Sequence, residues 1–347
     1  MIPSRTLVLL LACAGCTAAG DLDRTAAAIV GGVDSTADDD QVVLMLSHDP
    51  SRDTAQGTFY EFCSGTLVAP NLVLTARHCV SETKSQHYAC DEQGMPALGD
   101  PTLGDDFPVK DTMVFTGAAL PDTFTPATAS AIGKQVVHDT TTTICNADLA
   151  LVVLDREIPN AKLASLRLDG AIAAGDPLYA VGWGATEDGP LPAMRQRRDD
   201  VSVAVVGPST EAVLGDMLAD REMRVTESIC QGDSGGPVFD PVTHAELGVV
   251  SRGNSGDGNG PDCLGTEHTL MRVPSFKDLI MQGFAAAGQS PRLEMQPDMA
   301  QPVDMAAPPM GGGGCAIAGS ADLGAPTLAL ALLAMAAARL LRRRRAT

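Results

Sequence analysis

Short apolar runs separated by Gly, Pro, Asn and Asp dominate the middle of this chain, as in Val42 to Leu46, Gly65 to Leu74, Ala150 to Leu154, Leu178 to Val181 and Leu247 to Ser251. Runs of this length, bounded by turn formers, predict many β-strands, and the near absence of a long helical period makes the fold class all-β, a barrel or sandwich. One segment breaks the pattern. Pro274 to Ala285 reads as a terminal helix, with Ser275 and Asp278 spaced as a capping box before Leu279, Ile280 and Phe284. The two ends follow neither period. Met1 to about Gly20 has Arg5, then the apolar run Leu7 to Ala12, then small residues, which is the pattern of an export signal. From about Gly288 to Gly314 the chain is rich in Pro, Met, Gln and Asp and ends in four glycines, a composition with too little apolar surface to fold, so it reads as a disordered spacer. Cys315 follows, then a mainly apolar stretch from Leu323 to Leu341 and the basic block Arg342 to Arg345. That stretch is slightly short of the roughly 20 residues of an ordinary membrane span, and the arginines predict its carboxyl end inside.

At 347 residues and 45% hydrophobic content the chain can bury one large core and carry tails. Its formal charge of −19 argues against nucleic acid or an anionic lipid surface as a partner of the folded part, and solubility explains the charge. Nine cysteines suit an oxidising compartment, consistent with the export signal. Cys13 and Cys16 lie in segments that loosely resemble lipoprotein cleavage boxes. Their C-x-x-C spacing is given no redox or metal role, because the segment reads as one that is removed.

Candidate chemistry comes from three short sequences in a fixed order. Thr75-Ala76-Arg77-His78-Cys79 and Asn146-Ala147-Asp148-Leu149-Ala150-Leu151 precede Gly232-Asp233-Ser234-Gly235-Gly236-Pro237. Six fixed residues recur by chance on the order of 10⁻⁸ per start position. A serine hydroxyl is a poor nucleophile at neutral pH and needs a base within hydrogen-bond reach; that base needs a carboxylate to fix its tautomer. The order His, Asp, Ser resembles the chymotrypsin/trypsin-like serine proteases. The resemblance runs from about Ile29 to Ala285 and includes Ile29-Val30-Gly31-Gly32 as a mature amino terminus, the run Phe62 to Val68, Gly182-Trp183-Gly184, and Ser251-Arg252-Gly253 where the family has Ser-Trp-Gly.

The resemblance implies two six-stranded Greek-key antiparallel barrels with a short C-terminal helix. It implies a triad of His78, Asp148 and Ser234, an oxyanion hole from the N–H groups of Gly232 and Ser234, and no cofactor. It implies activation by a cut before Ile29, whose freed amino group pairs with Asp233, and Ala28 points to an activating protease that prefers small residues. Disulfides Cys63–Cys79 and Cys230–Cys263 match family pairings, and Cys90–Cys145 joins the two cysteines then left in the domain. Substrate-binding positions fall on Ser228, Ser251, Arg252, Gly253 and His268. Ser228 stands where aspartate confers preference for Arg or Lys, so a neutral pocket favouring apolar or aromatic residues is expected; His268 beside it raises preference for Glu as the other reading. The acidic cluster Asp91, Glu92, Asp100, Asp105 and Asp106 reads as a solvated loop in a long insertion rather than a calcium site. His48, His87 and His244 have no motif context and receive no role.

The expected organisation is an export signal over 1–20, a propeptide over 21–28, the protease domain over 29–287, a linker over 288–314 and a tail over 315–347. Glycines, one cysteine, an apolar stretch and an arginine cluster make that tail resemble the MYXO-CTERM sorting signal, with a plain membrane anchor as the alternative. The resulting expectation is an exported, surface-associated serine endopeptidase, or one released outside. Its partners are a protein or peptide substrate, an activating protease, sorting machinery and, through the tail, the membrane. Two rival readings stay open: a non-catalytic binding protein with a protease shape, and a processing protease of narrow specificity.

Overall fold

The computed structural model describes residues 31–55, 57–85, 88–184, 192–253 and 266–295. The export signal, propeptide, Ile29, His87, Cys263, most of the linker and the whole tail of the sequence analysis lie outside these residues. Among the described residues no helix is long and apolar enough to cross a membrane.

Twelve strands form two closed six-stranded antiparallel barrels. The first consists of Val42–His48, Tyr60–Ala69, Leu72–Thr75, Thr112–Phe115, Ala131–His138 and Ala150–Leu154. The second consists of Pro177–Gly182, Gln196–Val206, Glu222–Val225, Pro237–Phe239, Ala245–Gly253 and His268–Arg272, closed by pairing of the Gln196 and Glu222 strands. When the strands are numbered 1 to 6 within each barrel, both have the same cyclic order, 1-2-3-6-5-4. This is the Greek-key path expected from the resemblance.

Each predicted strand run is extended in the structure, but one divides. Gly65 to Leu74 bends at Pro70-Asn71 into two antiparallel strands, because proline has no N–H for a ladder and suits the turn. The helix is also modified. A 3₁₀ turn Val273–Phe276 leads into the α-helix Lys277–Ala287, whose N-cap is Phe276 with no side-chain cap bond, so the Ser275–Asp278 capping box does not form. Ser275 lies inside the 3₁₀ turn rather than at a cap position, and Asp278 instead meets the positive end of the helix in its first turn. Gly288 ends the helix in the left-handed region at φ 68°. Leu279, Ile280, Gly283 and Phe284 are its buried face, and a Cβ on Gly283 would come within 2.6 Å of Leu151, so the helix of the second half of the chain packs on a strand of the first barrel.

Between His78 and Asp148 the acidic residues are exposed or half-exposed, as expected of a solvated segment, but the segment is more ordered than a loop. Two small antiparallel pairs form, Ser81–Thr83 with Leu103–Asp106 and Tyr88–Cys90 with Pro96–Gly99. Several acids hold turns: Asp91 accepts from the N–H of Gln93 and Met95, Asp100 from Thr102, and Asp106 from Ser81 Oγ at 2.7 Å. Past the helix, Leu293 forms a parallel bridge with Leu166, and Glu294 is held by Arg167 and by Thr243 Oγ1 at 2.6 Å.

Candidate active site

His78 lies in a 3₁₀ turn, Arg77–Cys79, at the end of the Leu72–Thr75 strand, and the neighbouring Cys79 is tied to Cys63 with Cα atoms 6.0 Å apart. Asp148 precedes the Ala150–Leu154 strand, which pairs with that same strand, so ladder register brings the two residues together. The His78 Nδ1 position is 2.7 Å from Asp148 Oδ2, and the His78 backbone N–H donates to Oδ1 at 2.9 Å. Ser251 Oγ also donates to Oδ2, at 2.7 Å. Asp148 is fully buried, and burial by itself would raise its carboxyl; the facing imidazole and these three donors outweigh burial and hold it below the usual carboxylate range. For His78 burial opposes protonation, and the Asp148 charge, its hydrogen bond and then the Glu61 charge lift the imidazole above its ordinary value. The carboxylate therefore fixes the ring and stabilises the imidazolium.

The turn that carries Ser234 comes from the other barrel. Gly232 and Gly235 have φ of 97° and 76°, left-handed values that glycine adopts without steric cost. A Cβ on Gly235 would sit 2.1 Å from Thr75 Oγ1 and 2.9 Å from the Ala76 nitrogen, so only glycine lets the residue after Ser234 press against the strand end that carries His78. Ser64 locks this contact. Its N–H donates to Ser234 O at 2.8 Å, its Oγ donates to Gly232 O at 3.0 Å and accepts from Trp183 N at 2.9 Å, and its carbonyl accepts from Thr75 Oγ1 at 3.0 Å. The sequence reading placed Ser64 only within a hairpin. Nothing in its residue type signals that it joins both barrels at the site.

Asp233 is turned inward. Its Oδ1 accepts from Gly184 N at 2.8 Å and Oδ2 from Cys230 N at 2.9 Å, yet burial dominates and pushes its carboxyl up to about 7. Gly182 and Gly184 have to be glycines, because a Cβ on either would fall within 2.2 Å of this carboxylate. Its expected partner Ile29 lies outside the described residues. Cys230 is disulfide-bonded. The Cys90–Cys145 bridge is present, with Cα atoms 5.7 Å apart.

The pocket residues separate into two groups. Ser228 is fully buried and donates to Thr226 O at 3.0 Å. Gly253 is paired with His268 across the ladder, and a Cβ on Gly253 would lie 2.8 Å from His268 Nδ1, so the buried His268 ring fills the space beside Gly253. Arg252 differs. Its side chain is 7% exposed, and its guanidinium is bound by Glu222 at 2.7 and 3.1 Å and by Asp216 at 3.1 Å, which leaves it a structural cation rather than a free ligand for an acidic substrate. Asp216 and Glu222 were not singled out from the sequence, since they lie 36 and 30 residues before Arg252 with no motif linking them. Among the described residues, the donor group that could face a metal is Cys63, His78 and Cys79, with atoms within 4.8 Å of one another, but both sulfurs are spent on the disulfide.

The family model described as Trypsin matches residues 29–280. The chain belongs to the trypsin family. Relatives of this trypsin-family chain include Trypsin eta of Drosophila erecta, 25% identical over 236 residues that cover 65% of this chain and 80% of the relative. Chymotrypsin-2 of Vespa crabro is 26% identical over 64% of this chain and 88% of its own length, and Proproteinase E of Bos taurus is 26% identical over 66% and 86%. The trypsin-family chain is a serine-type endopeptidase, a hydrolase of peptide bonds.

Proposed function

We propose that Ser234 attacks the scissile carbonyl while His78 takes its proton and later returns it to the leaving amine, with Asp148 holding the ring. The N–H groups of Gly232 and Ser234 serve the oxyanion, and the left-handed backbone at Gly232 supports this assignment. The carrying observation is the Asp148 carboxylate fixed by His78 and Ser251 in a fully buried position, beside a glycine turn that fits only against the His78 strand end. Activation follows a cut before Ile29, and the buried Asp233 carboxylate supplies the charge that its amino group would meet.

The buried, uncharged Ser228 favours an apolar or aromatic residue in the primary pocket. A second reading, preference for Glu, has the His268 ring beside Gly253 in its favour, and equal rates for Glu and Gln peptides would exclude it. Two disulfides among the described residues support export to an oxidising compartment. The tail is the proposed surface anchor, processed by sorting machinery or retained in the membrane. The natural substrate is a protein or peptide, and no step needs a cofactor.

The test is fluorogenic cleavage by the chain starting at Ile29, across peptides that vary the residue before the scissile bond. Ser234→Ala is expected to lower kcat by about 10⁵-fold or more, the size known for such triads, and to abolish fluorophosphonate labelling. An unlabelled wild type would favour the non-catalytic binding reading. Failure to digest unfolded casein, with peptide cleavage intact, would favour a narrow processing protease.

A further inference from the structure

Arg252 is held by two carboxylates, and each of them also holds the chain that leads to Asp148. Its two terminal nitrogens donate to Glu222 at 2.7 and 3.1 Å, and its Nε lies 3.1 Å from both oxygens of Asp216. Glu222 Oε1 accepts the Asn146 N–H at 2.7 Å, and Asp216 Oδ1 accepts the Cys90 N–H at 2.8 Å. Cys90 is bonded to Cys145, the residue before Asn146. A ring is thereby closed. It runs from Arg252 through Glu222 to Asn146 and Cys145, across the disulfide to Cys90, and through Asp216 back to Arg252. Glu222 and Asp216 are buried, so the cation is their main counter-charge. Burial alone would raise the Glu222 carboxyl; Arg252 and the N–H groups of Ala219 and Asn146 outweigh burial and hold it below the usual range.

The ring ends two residues from Asp148. Asn146 has φ of 63°, a left-handed value that asparagine tolerates better than most residues. Its side chain is fixed as well, since Oδ1 accepts the Arg221 N–H and Nδ2 donates to Asp220 Oδ1, both at 2.8 Å. The second barrel therefore grips the backbone before Asp148, and the Leu72–Thr75 strand grips it from Ala150 onward. The carboxylate itself is held by the neighbour of Arg252. Along the Ala245–Gly253 strand the ladder passes from Val250 with Leu270 to Arg252 with Thr269, which leaves Ser251 as the extra residue of a bulge. Bulges re-aim side chains. Ser251 Oγ reaches Asp148 Oδ2 at 2.7 Å, and the next side chain reaches Glu222.

We propose that Arg252 is a positioning residue for the triad: through Glu222 and Asp216 it fixes the Asn146–Asp148 backbone so that the carboxylate stays aligned with His78, and it acts on the proton transfer from Ser234 rather than on substrate binding. A displacement of about 1 Å in a catalytic group can cost about 10²-fold in rate. Stability alone would be served as well by apolar side chains in place of the three charges. The inference rests on the triad assignment made above.

The experiment measures kcat and KM across pH for the chain starting at Ile29 on one fluorogenic peptide amide, with rates counted per fluorophosphonate-labelled Ser234 so that unfolded chains drop out. Arg252→Lys keeps the charge but loses the planar fork that serves two carboxylates. Glu222→Gln keeps the shape and removes the charge. Each is expected to lower kcat by about tenfold or more, with KM within about twofold of wild type. The acid limb of kcat/KM should move to lower pH in both, because Asp148 and Glu61 are the charges that lift His78 and only Asp148 is loosened. Asn146→Gly keeps the left-handed backbone and the N–H to Glu222, lies at a half-buried turn, and should lower kcat by about threefold through loss of its side-chain bonds. Wild-type kcat and acid limb in folded Arg252→Lys or Glu222→Gln, or in Asn146→Gly where neither folds, overturn the positioning role. A raised KM at unchanged kcat overturns it too and makes Arg252 a substrate contact. A wild type that does not label overturns the triad assignment, and this inference with it.

Discussion

The two barrels share a strand order but not an interior. In the six strands of the first, the buried side chains are apolar, apart from small hydroxyls such as Ser47, Ser64, Thr66, Thr75 and Thr112. The six strands of the second bury Glu222, Arg224, Glu246, Arg252 and His268. Desolvated charges stabilise little unless well paired, and an apolar replacement of a whole pair is often as good or better. The second barrel therefore gives up stability for position. Its ion pairs hold the Ala245–Gly253 strand and, through Asp216, the Tyr88–Cys90 strand, while the first barrel is a packed wall that presents His78 and Asp148.

Unpairing one charge is the strongest way to break this contrast. Arg252→Met would leave Glu222 and Asp216 buried without their cation, and a loss of about 3–5 kcal/mol in urea unfolding is expected. Replacing all three groups by apolar residues of similar volume should recover most of that stability but not kcat. In the first barrel Leu151→Ala has no charge to strand and should cost about 2–5 kcal/mol through its cavity, with no recovery from neighbouring substitutions.

An effect of comparable size tests Asp233. Its carboxyl ionises near 7 in the folded chain against a reference of 3.8, so between those values the folded state holds a proton that the unfolded state has lost. Stability of the uncut chain should therefore fall as pH rises from about 4 to about 7 and level off beyond. The cut chain, with the Ile29 amino group paired to Asp233, should not show this fall, and neither should Asp233→Asn. Unfolding midpoints across that range check it, and identical slopes in cut and uncut protein would count against the pairing.

The smallest change expected is at Glu246. Burial raises its carboxyl well above the ordinary range, and Glu246→Gln should alter stability by no more than about 1 kcal/mol. A larger loss would mean that the second barrel uses this group as a charge.

Sequence pattern carried the barrels well where strands were long and apolar, as in Val42–His48 and Ala150–Leu154. It also marks His78, Asp148 and Ser234 as candidates, because each sits in a short stretch of recognisable motif residues. The hairpins at 81–106 were missed for a physical reason. Their strands are three or four residues long with exposed or acidic positions, and what holds them is a disulfide and contacts such as Cys90 to Asp216, 126 residues apart. The same distance in sequence hid the Arg252 pairing and the role of Ser64. A family resemblance locates Ser251-Arg252-Gly253, but only the fold shows that the middle side chain is turned into its own carboxylates.

The parallel bridge at Leu166 and Leu293, with Glu294 gripped by Arg167, has a mechanical meaning. A pull on the chain beyond Met295 runs first into two backbone hydrogen bonds, Arg292 O with Leu166 N and Leu166 O with Glu294 N, and into an ion pair that resists sliding. The clamp works as a strain relief. A load arriving from beyond Met295 would be taken up on the flank of the second barrel before it could unwind the Lys277–Ala287 helix.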